Sequence, residues 1–317
     1  MDDPQKSEHL QRGAVLHETL RVLPPDQPII LDNVTCPYCG GDVRKRRTKE
    51  HVVGRRFVPK GMLNRQWNLI LWACGRCNGR KADLENDISA ITLQPDRFGR
   101  HADADLELLP AEAKRRASKT FSRRTKKLVQ DSVESITLKA PLAPGVHLTG
   151  NWSCSPQVNP GRLAELAQMQ AGAFFYFATY RRAERAGRLW RGPFMLVNAT
   201  MRLDWGNVLM RSFMDAVVGW EPRVLAIGAG EFFKVAIRKH PQADCWSWAF
   251  EWNKNVRAIG FFGDEVAART VASKFAALPI FSIVEGPDAF VRAHWETRLA
   301  SADDKLFCWP GMEAESA

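Results

Sequence analysis

Apolar residues recur every three or four positions in several stretches of the chain, and they alternate or run together in others. The first pattern predicts helices, whereas short apolar runs bounded by Gly, Pro or Asn predict strands. Helices are predicted over 8–23, 78–88, 160–187, 206–218 and 264–277. Strands are predicted over 136–139, 194–200, 223–227, 232–239, 245–252, 256–262 and 280–284.

These elements divide the chain into four parts and predict an α+β fold. Prolines end a helical extension at residues 1–28, and a small module with paired cysteines follows over 29–93. Residues 94–131 are expected to be a basic linker or helix, with a loop over its first part. Residues 132–317 are expected to form a larger α+β domain with a mainly antiparallel sheet, in which 253–255 closes a hairpin.

Three tryptophans of the last domain alternate along one predicted strand: Trp246, Trp248 and Trp252. Alternate residues of a strand share a face, so this face could stack nucleic-acid bases or pack in the core. Core packing is the favoured interpretation, since aromatic side chains dominate protein interiors.

The composition is that of a globular protein, with 45% hydrophobic and 25% charged residues among 317. No apolar run approaches the roughly 18 residues that a membrane helix needs, and the polar start lacks the apolar segment of a signal peptide. We therefore expect a cytoplasmic protein without a membrane partner.

Positive charge is concentrated in the first part of the chain. Residues 1–130 hold 25 Lys and Arg against 16 Asp and Glu, whereas residues 131–317 hold 20 against 19. A localised basic surface is typical of nucleic-acid binders, although a solvated basic face would give the same count. Residues 113–130 carry eight cations and no anion, so this segment either follows a phosphate backbone or is a flexible linker.

The cysteines indicate a metal site. Four thiolates in two Cys-x2-Cys pairs form a closed tetrahedral zinc site, which is structural because no coordination position stays open. The pairs are Cys36 and Cys39, then Cys74 and Cys77. The isolated cysteines, expected to be small buried hydrophobic residues, are Cys154, Cys245 and Cys308.

A Glu-His step and two asparagines accompany the cysteine pairs. Glu50-His51 and Asn68 lie between the pairs, Asn78 directly follows the second, and Lys81 comes three residues later. In this order and spacing the motif resembles the HNH endonucleases, which have a ββα-metal fold, here with an auxiliary zinc knuckle pair. The resemblance covers residues 29–93, about a fifth of the chain.

The resemblance implies a role for each residue of the motif. His51 would be the general base, since a neutral imidazole near pH 7 can accept a proton from water. Glu50 and Asn78 would hold a catalytic Mg²⁺ or Mn²⁺, ions that prefer oxygen ligands. Asn68 would orient the histidine. Basic residues nearby are expected to anchor phosphates without reading sequence: Arg44 to Arg47, Arg55, Arg56, Lys60, Arg80 and Lys81.

Two positions depart from the simplest match. Many HNH relatives carry aspartate where this chain has Glu50, which bears on the metal geometry alone. Asn64 lies four residues before Asn68 and competes with it for the middle position. Asn68 is preferred because it opens the apolar, strand-like run over 69–71.

The sequence thus predicts a metal-dependent HNH endonuclease that hydrolyses phosphodiester bonds, with double-stranded DNA as the expected partner. A role in restriction, phage defence or mobile elements would follow, with residues 132–317 controlling targeting or activation. One alternative is a zinc-knuckle protein that binds nucleic acid without cutting it. Another is an effector whose nuclease stays latent until a ligand or partner protein binds. RNA as the substrate and a homo-oligomeric state stay open.

Overall fold

The computed structural model of the chain describes residues 21–22, 27–280, 282–286 and 289–308, which form a mixed α+β structure. The α+β prediction is therefore confirmed. None of the described helices combines the length and apolar character needed to cross a membrane. Five α-helices lie in this part of the chain: α1 (Gly75–Thr92), α2 (Leu108–Ala117), α3 (Pro160–Ala178), α4 (Val208–Val217) and α5 (Glu265–Ala272).

The described strands form one large sheet, one small sheet and two separate hairpins. The large sheet has the order β1-β8-β9-β10-β11-β7 and is antiparallel except for β1, which pairs with β8 in parallel. The small sheet has the order β2-β4-β3, and the hairpins are β5-β6 and β12-β13. The strands are β1 (Arg21–Val22), β2 (Ile29–Ile30), β3 (Thr48–His51), β4 (Leu69–Ala73), β5 (Glu134–Ala143), β6 (Val146–Cys154), β7 (Phe194–Met201), β8 (Glu221–Gly228), β9 (Phe233–Lys239), β10 (Cys245–Trp252), β11 (Val256–Gly263), β12 (Ser282–Gly286) and β13 (Ala289–Ala293).

The centre of the large sheet is buried on both faces, so β10 and β11 read as nearly continuous apolar runs. Every residue of these two strands is buried. Helix α3 packs on the face that carries Trp248 of β10. Helices α4 and α5 pack on the opposite face, which carries Phe261 of β11. The three alternating tryptophans belong to the first of these cores, as the core interpretation predicted.

The first core continues from the large sheet into the cysteine-bearing segment. Leu71 of β4 and Leu84 of α1 belong to the same apolar cluster as Phe174 of α3. The Trp67 indole nitrogen donates to the carbonyl oxygen of Ile227 at 2.6 Å, close against Gly228. A Cβ atom at residue 228 would lie 2.5 Å from that nitrogen, so only glycine allows this approach.

Polar contacts also join α3 and the large sheet to the cysteine-bearing segment. Arg162 of α3 binds the buried Asp87 carboxylate of α1 at 2.7 Å. The β10–β11 turn reaches both the loop before α1 and the end of α1. Asn253 donates to the Phe57 carbonyl in that loop at 3.1 Å and to the hydroxyl of Thr92, the last residue of α1, at 2.7 Å. Asn253 has a φ of 55°, a left-handed conformation that hairpin turns favour. The hairpin loop predicted at 253–255 is confirmed.

Several predicted boundaries were wrong. Helix α3 stops at Ala178, well before residue 187, because the chain turns back through an isolated bridge between Arg181 and Ala186. Helix α2 begins at Leu108, where a loop was expected, and ends at Ala117. The rest of the 113–130 segment folds into turns closed by a bridge between Phe121 and Leu128.

Two other predictions have a mixed outcome. The predicted helix over 8–23 lies outside the described residues except for Arg21–Val22, which form strand β1. Of the isolated cysteines, Cys245 is buried as expected, whereas Cys308 is exposed. The side chain of Cys154 lies outside the described part of the structure.

We predict that Asn253→Ala lowers the free energy of unfolding by about 2–3 kcal/mol, because two buried acceptors lose their donor. Asn253→Gly should cost about 1 kcal/mol less, since glycine adopts the left-handed conformation freely. Urea unfolding followed by tryptophan fluorescence measures both. Equal losses for the two variants would contradict the backbone part of this prediction.

Candidate metal centre and basic cleft

The four paired cysteines come together at one end of the small sheet. Their sulfur atoms all lie within 4.8 Å of one another, and the Cys39 and Cys74 sulfurs are 3.7 Å apart. Tetrahedral zinc with bonds of about 2.3 Å places its sulfurs about 3.8 Å apart, so the cluster fits such an ion. Cys36 and Cys39 lie in a tight turn, whereas Cys74 caps α1 and Cys77 lies in its first turn.

Burial makes a bound cation necessary if Cys36 and Cys77 are to be thiolates. Burial raises the pKa of Cys36 to about 11, and it raises the pKa of Cys77 further still. Without a metal the two thiols would therefore stay protonated near neutral pH. A coordinated metal deprotonates thiols, so metal binding and the folding of this end of the sheet are coupled.

Strand β3 contains both residues of the Glu-His step and directs their side chains to opposite faces. Successive side chains of a strand point to opposite faces. The Glu50 side chain is only 3% exposed and contacts α1 and Tyr38, whereas His51 is half-buried and lines a cleft on the opposite side. The structure therefore does not bring these two functional groups to one surface.

The carboxylate of Glu50 belongs to a buried ion-pair network. The Lys81 ammonium lies 2.9 Å from Glu50 and 2.5 Å from Glu85, and its side chain is 1% exposed. Tyr38 also donates to Glu50, at 3.1 Å, and Lys81 donates to the carbonyl oxygen of His51 at 3.0 Å. The expectation that Lys81 contacts phosphate was wrong, because this ammonium is enclosed by protein.

The network keeps Lys81 charged. Burial alone would lower the pKa of Lys81, but the Glu85 and Glu50 carboxylates outweigh it and raise that pKa. Burial, with the nearby Glu50 charge, raises the pKa of Tyr38 well above its usual value, so its hydroxyl stays a donor. Lys81 is thus a permanent cation among oxygen atoms of Glu50, Glu85 and His51.

This arrangement does not accommodate the divalent ion expected at Glu50 and Asn78. Mg²⁺ needs carboxylate oxygens that face open, hydrated positions, and the Glu50 carboxylate is enclosed by Lys81 and Tyr38. Asn78 donates its amide nitrogen to the Thr48 hydroxyl at 2.9 Å, a bond that does not involve the amide oxygen that a metal would need. Among the described residues, the cysteine cluster is the one group of three or more His, Cys, Asp or Glu side chains close enough to hold a metal.

A basic cleft of about 960 Å³ opens beside His51. Its walls come from β3, the loop over 55–66, α1 and α2, and they carry seven cations and one carboxylate, Glu112. Among the described residues, no Phe, Tyr or Trp side chain lines it. Arg44 to Arg47, expected around the site, do not line it either. The cations are Arg55, Arg56, Lys60, Arg65, Arg115, Arg116 and Lys119.

His51 is an unprotonated base in this cleft. Burial, followed by the positive charges of Arg55, Lys49 and Lys81, lowers its pKa to about 4. The imidazole is therefore neutral at pH 7, and a neutral ring keeps one nitrogen lone pair as a proton acceptor. Its Nε2 atom is buried and has no hydrogen-bond partner among the described residues.

Asn68 fixes the chain that follows His51. Its amide oxygen accepts from the Val53 backbone nitrogen at 3.2 Å, and its amide nitrogen donates to the Val53 carbonyl at 2.8 Å. Two hydrogen bonds to one residue hold the loop after β3 in a single position. Asn64, the competing middle position, is exposed on the rim of the cleft.

Sequence reasoning missed three parts of this site. The spacing of four between Lys81 and Glu85 on one helix was an available signal for the buried pair. Arg80, expected at phosphate, instead binds Glu165 of α3 at 2.5 Å, a contact that only the tertiary structure creates. No sequence signal placed the α2 cations beside His51.

We predict that the purified protein holds zinc stoichiometrically and that Cys77→Ser loses it. The loss should lower the free energy of unfolding by on the order of 4 kcal/mol or more, since removal of a structural metal is among the largest single effects. Elemental analysis and urea unfolding measure the two quantities. Cys308→Ser, at an exposed cysteine outside the cluster, should change neither. Full zinc content in Cys77→Ser would contradict the assignment.

We further predict that Lys81→Met lowers the free energy of unfolding by about 3–5 kcal/mol, because it leaves Glu50 and Glu85 buried without their cation. The triple variant Lys81→Met, Glu50→Gln, Glu85→Gln should recover part of that loss, since no charge is then stranded. Urea unfolding of the wild type and both variants provides the comparison. A triple variant less stable than Lys81→Met would show that charge pairing is not the cause.

Three features make up the candidate site: the cysteine cluster, the Lys81 network and the basic cleft. The cluster could hold a metal such as zinc, and the cleft places a neutral histidine among cations. No protein-family model, curated protein or solved structure matches this chain.

Proposed function

We propose that the protein is a zinc-stapled endonuclease of the HNH type that hydrolyses phosphodiester bonds of double-stranded DNA, with His51 as the general base. One observation carries the proposal: among the described residues, a neutral imidazole whose buried Nε2 has no hydrogen-bond partner lines a cleft together with seven cations. A base beside anion-binding groups is what phosphodiester hydrolysis requires of a site.

The local topology supports the same family. The antiparallel strands β3 and β4 lead directly into α1, and the second cysteine pair lies where β4 joins α1. A strand-strand-helix unit stapled by cysteines is the arrangement that the sequence motif implies. The described residues that line the cleft include no Phe, Tyr or Trp, which favours a duplex backbone over unpaired bases, since proteins commonly stack such bases on these rings.

The chain's own residues suffice to describe part of the chemistry. His51 takes a proton from water while the water oxygen forms a bond to phosphorus. The bond from phosphorus to the leaving sugar oxygen breaks, and that oxygen takes a proton from a solvent water. Arg55 and Arg56 line the same cleft and would stabilise the added negative charge on the phosphate oxygens. Asn68 and Lys81 hold the backbone around His51 and so orient the base.

The proposed nuclease would also bind a divalent cation, although the steps described for His51, Arg55 and Arg56 do not involve it. In HNH enzymes such an ion supplies charge neutralisation at the phosphate. Here Glu50 and Asn78 could serve as its ligands only if Lys81 released Glu50, because that carboxylate is enclosed in the described arrangement. The metal requirement therefore has to be measured separately from the role of His51.

Control by the C-terminal domain belongs to the same proposal. The β10–β11 turn hydrogen-bonds through Asn253 and Asn255 to Phe57, Thr92 and Gln94, which flank the cleft-forming loop and α1. A ligand or partner that moved this turn would act on the cleft wall. Such control would suit a nuclease of restriction, phage defence or a mobile element.

A second function is favoured by the Lys81 network. If Glu50 serves only to pair with Lys81, the module would be a zinc-stapled element that binds nucleic acid without cutting it. The enclosed position of Glu50 is the specific observation for this alternative.

We predict that plasmid DNA is cleaved and that His51→Ala lowers the rate by about 10²–10⁴-fold, the usual contribution of a general base. Gel assays with Mg²⁺, with Mn²⁺ and with a chelator, on single- and double-stranded DNA and RNA, measure the rate and the metal requirement. His240→Ala, at a histidine outside the cleft, is the matched control.

Zinc content and the urea midpoint of the His51→Ala protein should equal those of the wild type, so that lost activity reports on the base. Undiminished cleavage by His51→Ala would refute His51 as the base. Nucleic-acid binding without cleavage of any substrate, under every metal condition, would favour the non-catalytic alternative.

A further inference from the structure

We infer that helix α2 and the turn that follows it, which lie outside the cysteine-bearing module, form the second wall of the nucleic-acid site, and that Arg115 and Lys119 bind backbone phosphates there. The inference rests on the proposed function in that the ligand is a nucleic acid, but it does not require the nucleic acid to be cut. The feature behind it is that α2 and His51 line one cleft.

Helix α2 is fixed against the loop that follows β3. Arg116 donates to the carbonyl oxygens of Arg56 and Val58 and to the Ser89 hydroxyl, and it also binds Glu112 at 2.6 Å. Glu112 in turn accepts from the Lys60 backbone nitrogen at 2.8 Å. Arg116 is thus a structural residue, and its hydrogen bonds set the distance between the two walls.

Arg115 and Lys119 are left available by this arrangement. Both are exposed. Arg115 lies in the last turn of α2, and Lys119 lies in the turn that follows the end of the helix at Ala117. Arg115 has one weak ion pair, 3.6 Å from Glu112, and Lys119 has no ion pair among the described residues. Arg123, another cation of the same segment, is instead engaged by Asp83 of α1 at 3.0 Å.

The chemistry of the cleft selects a polyanion. A single small anion would need one or two cations, whereas seven line this cleft and its one carboxylate is already engaged by Arg116. Like charges at this density repel one another, and a chain of phosphates on both walls relieves that repulsion. A solvated basic face, the simpler explanation of a cationic segment, does not require a second cationic wall across a cleft.

The test measures binding by the His51→Ala protein, so that cutting does not interfere. Arg115→Gln with Lys119→Gln should weaken binding of a short fluorescent DNA duplex by about tenfold or more, and it should flatten the salt dependence by about two phosphate contacts. Lys45→Gln with Arg46→Gln removes the same charge from exposed residues that do not line the cleft. This control should keep most of the affinity.

Equal losses in the two double variants would overturn the inference, since net charge alone would then explain binding. Failure of the wild-type cleft to bind the duplex would overturn it as well. Loss of binding only in the α2 variant supports it, even if the wild-type protein never cleaves DNA; in that case only the nuclease proposal fails. Unchanged urea midpoints ensure that lost affinity is not lost folding, and the single variants Arg115→Gln and Lys119→Gln provide a second measure.

Discussion

The candidate site depends on the ion pairs that the buried Lys81 ammonium makes with Glu50 and Glu85. A charge enclosed in protein is tolerated only when it is paired and hydrogen-bonded, and Lys81 meets this condition with Glu50, Glu85 and the His51 carbonyl. These partners come from β3 and α1, so the network fixes the helix against the strand that carries His51. The same network encloses Glu50, which separates the histidine from the acid that accompanies it in the sequence.

A shared core makes the cleft part of the whole fold. Because α3 packs against both the large sheet and the cysteine-bearing segment, the wall that holds His51 cannot shift without disturbing the sheet. The close approach of Trp67 to Gly228 and the hydrogen bonds of Asn253 tie the same two parts together. These contacts make the cleft wall and the large sheet parts of one packed core.

The sequence predicted what depends on local patterns and missed what depends on tertiary contacts. The strands β7 to β11 follow from apolar runs bounded by turns, and the cysteine cluster follows from its spacing. The early end of α3 and the start of α2 do not, because packing decides them. Glu50 shows the limit most clearly: its neighbour in sequence suggested a shared site, but strand alternation places the two side chains on opposite faces.

The charge of the cleft has two consequences that belong together. The cations around His51 add to the effect of burial and hold its pKa near 4, so the ring is unprotonated but is a weak base. A phosphate backbone entering the cleft would neutralise part of that charge and would raise the pKa of the imidazole toward its usual value. Under the proposed function, Arg55 thus adds to burial in keeping His51 deprotonated while it also lines the phosphate-binding cleft, and its neutralisation by the substrate would strengthen the base.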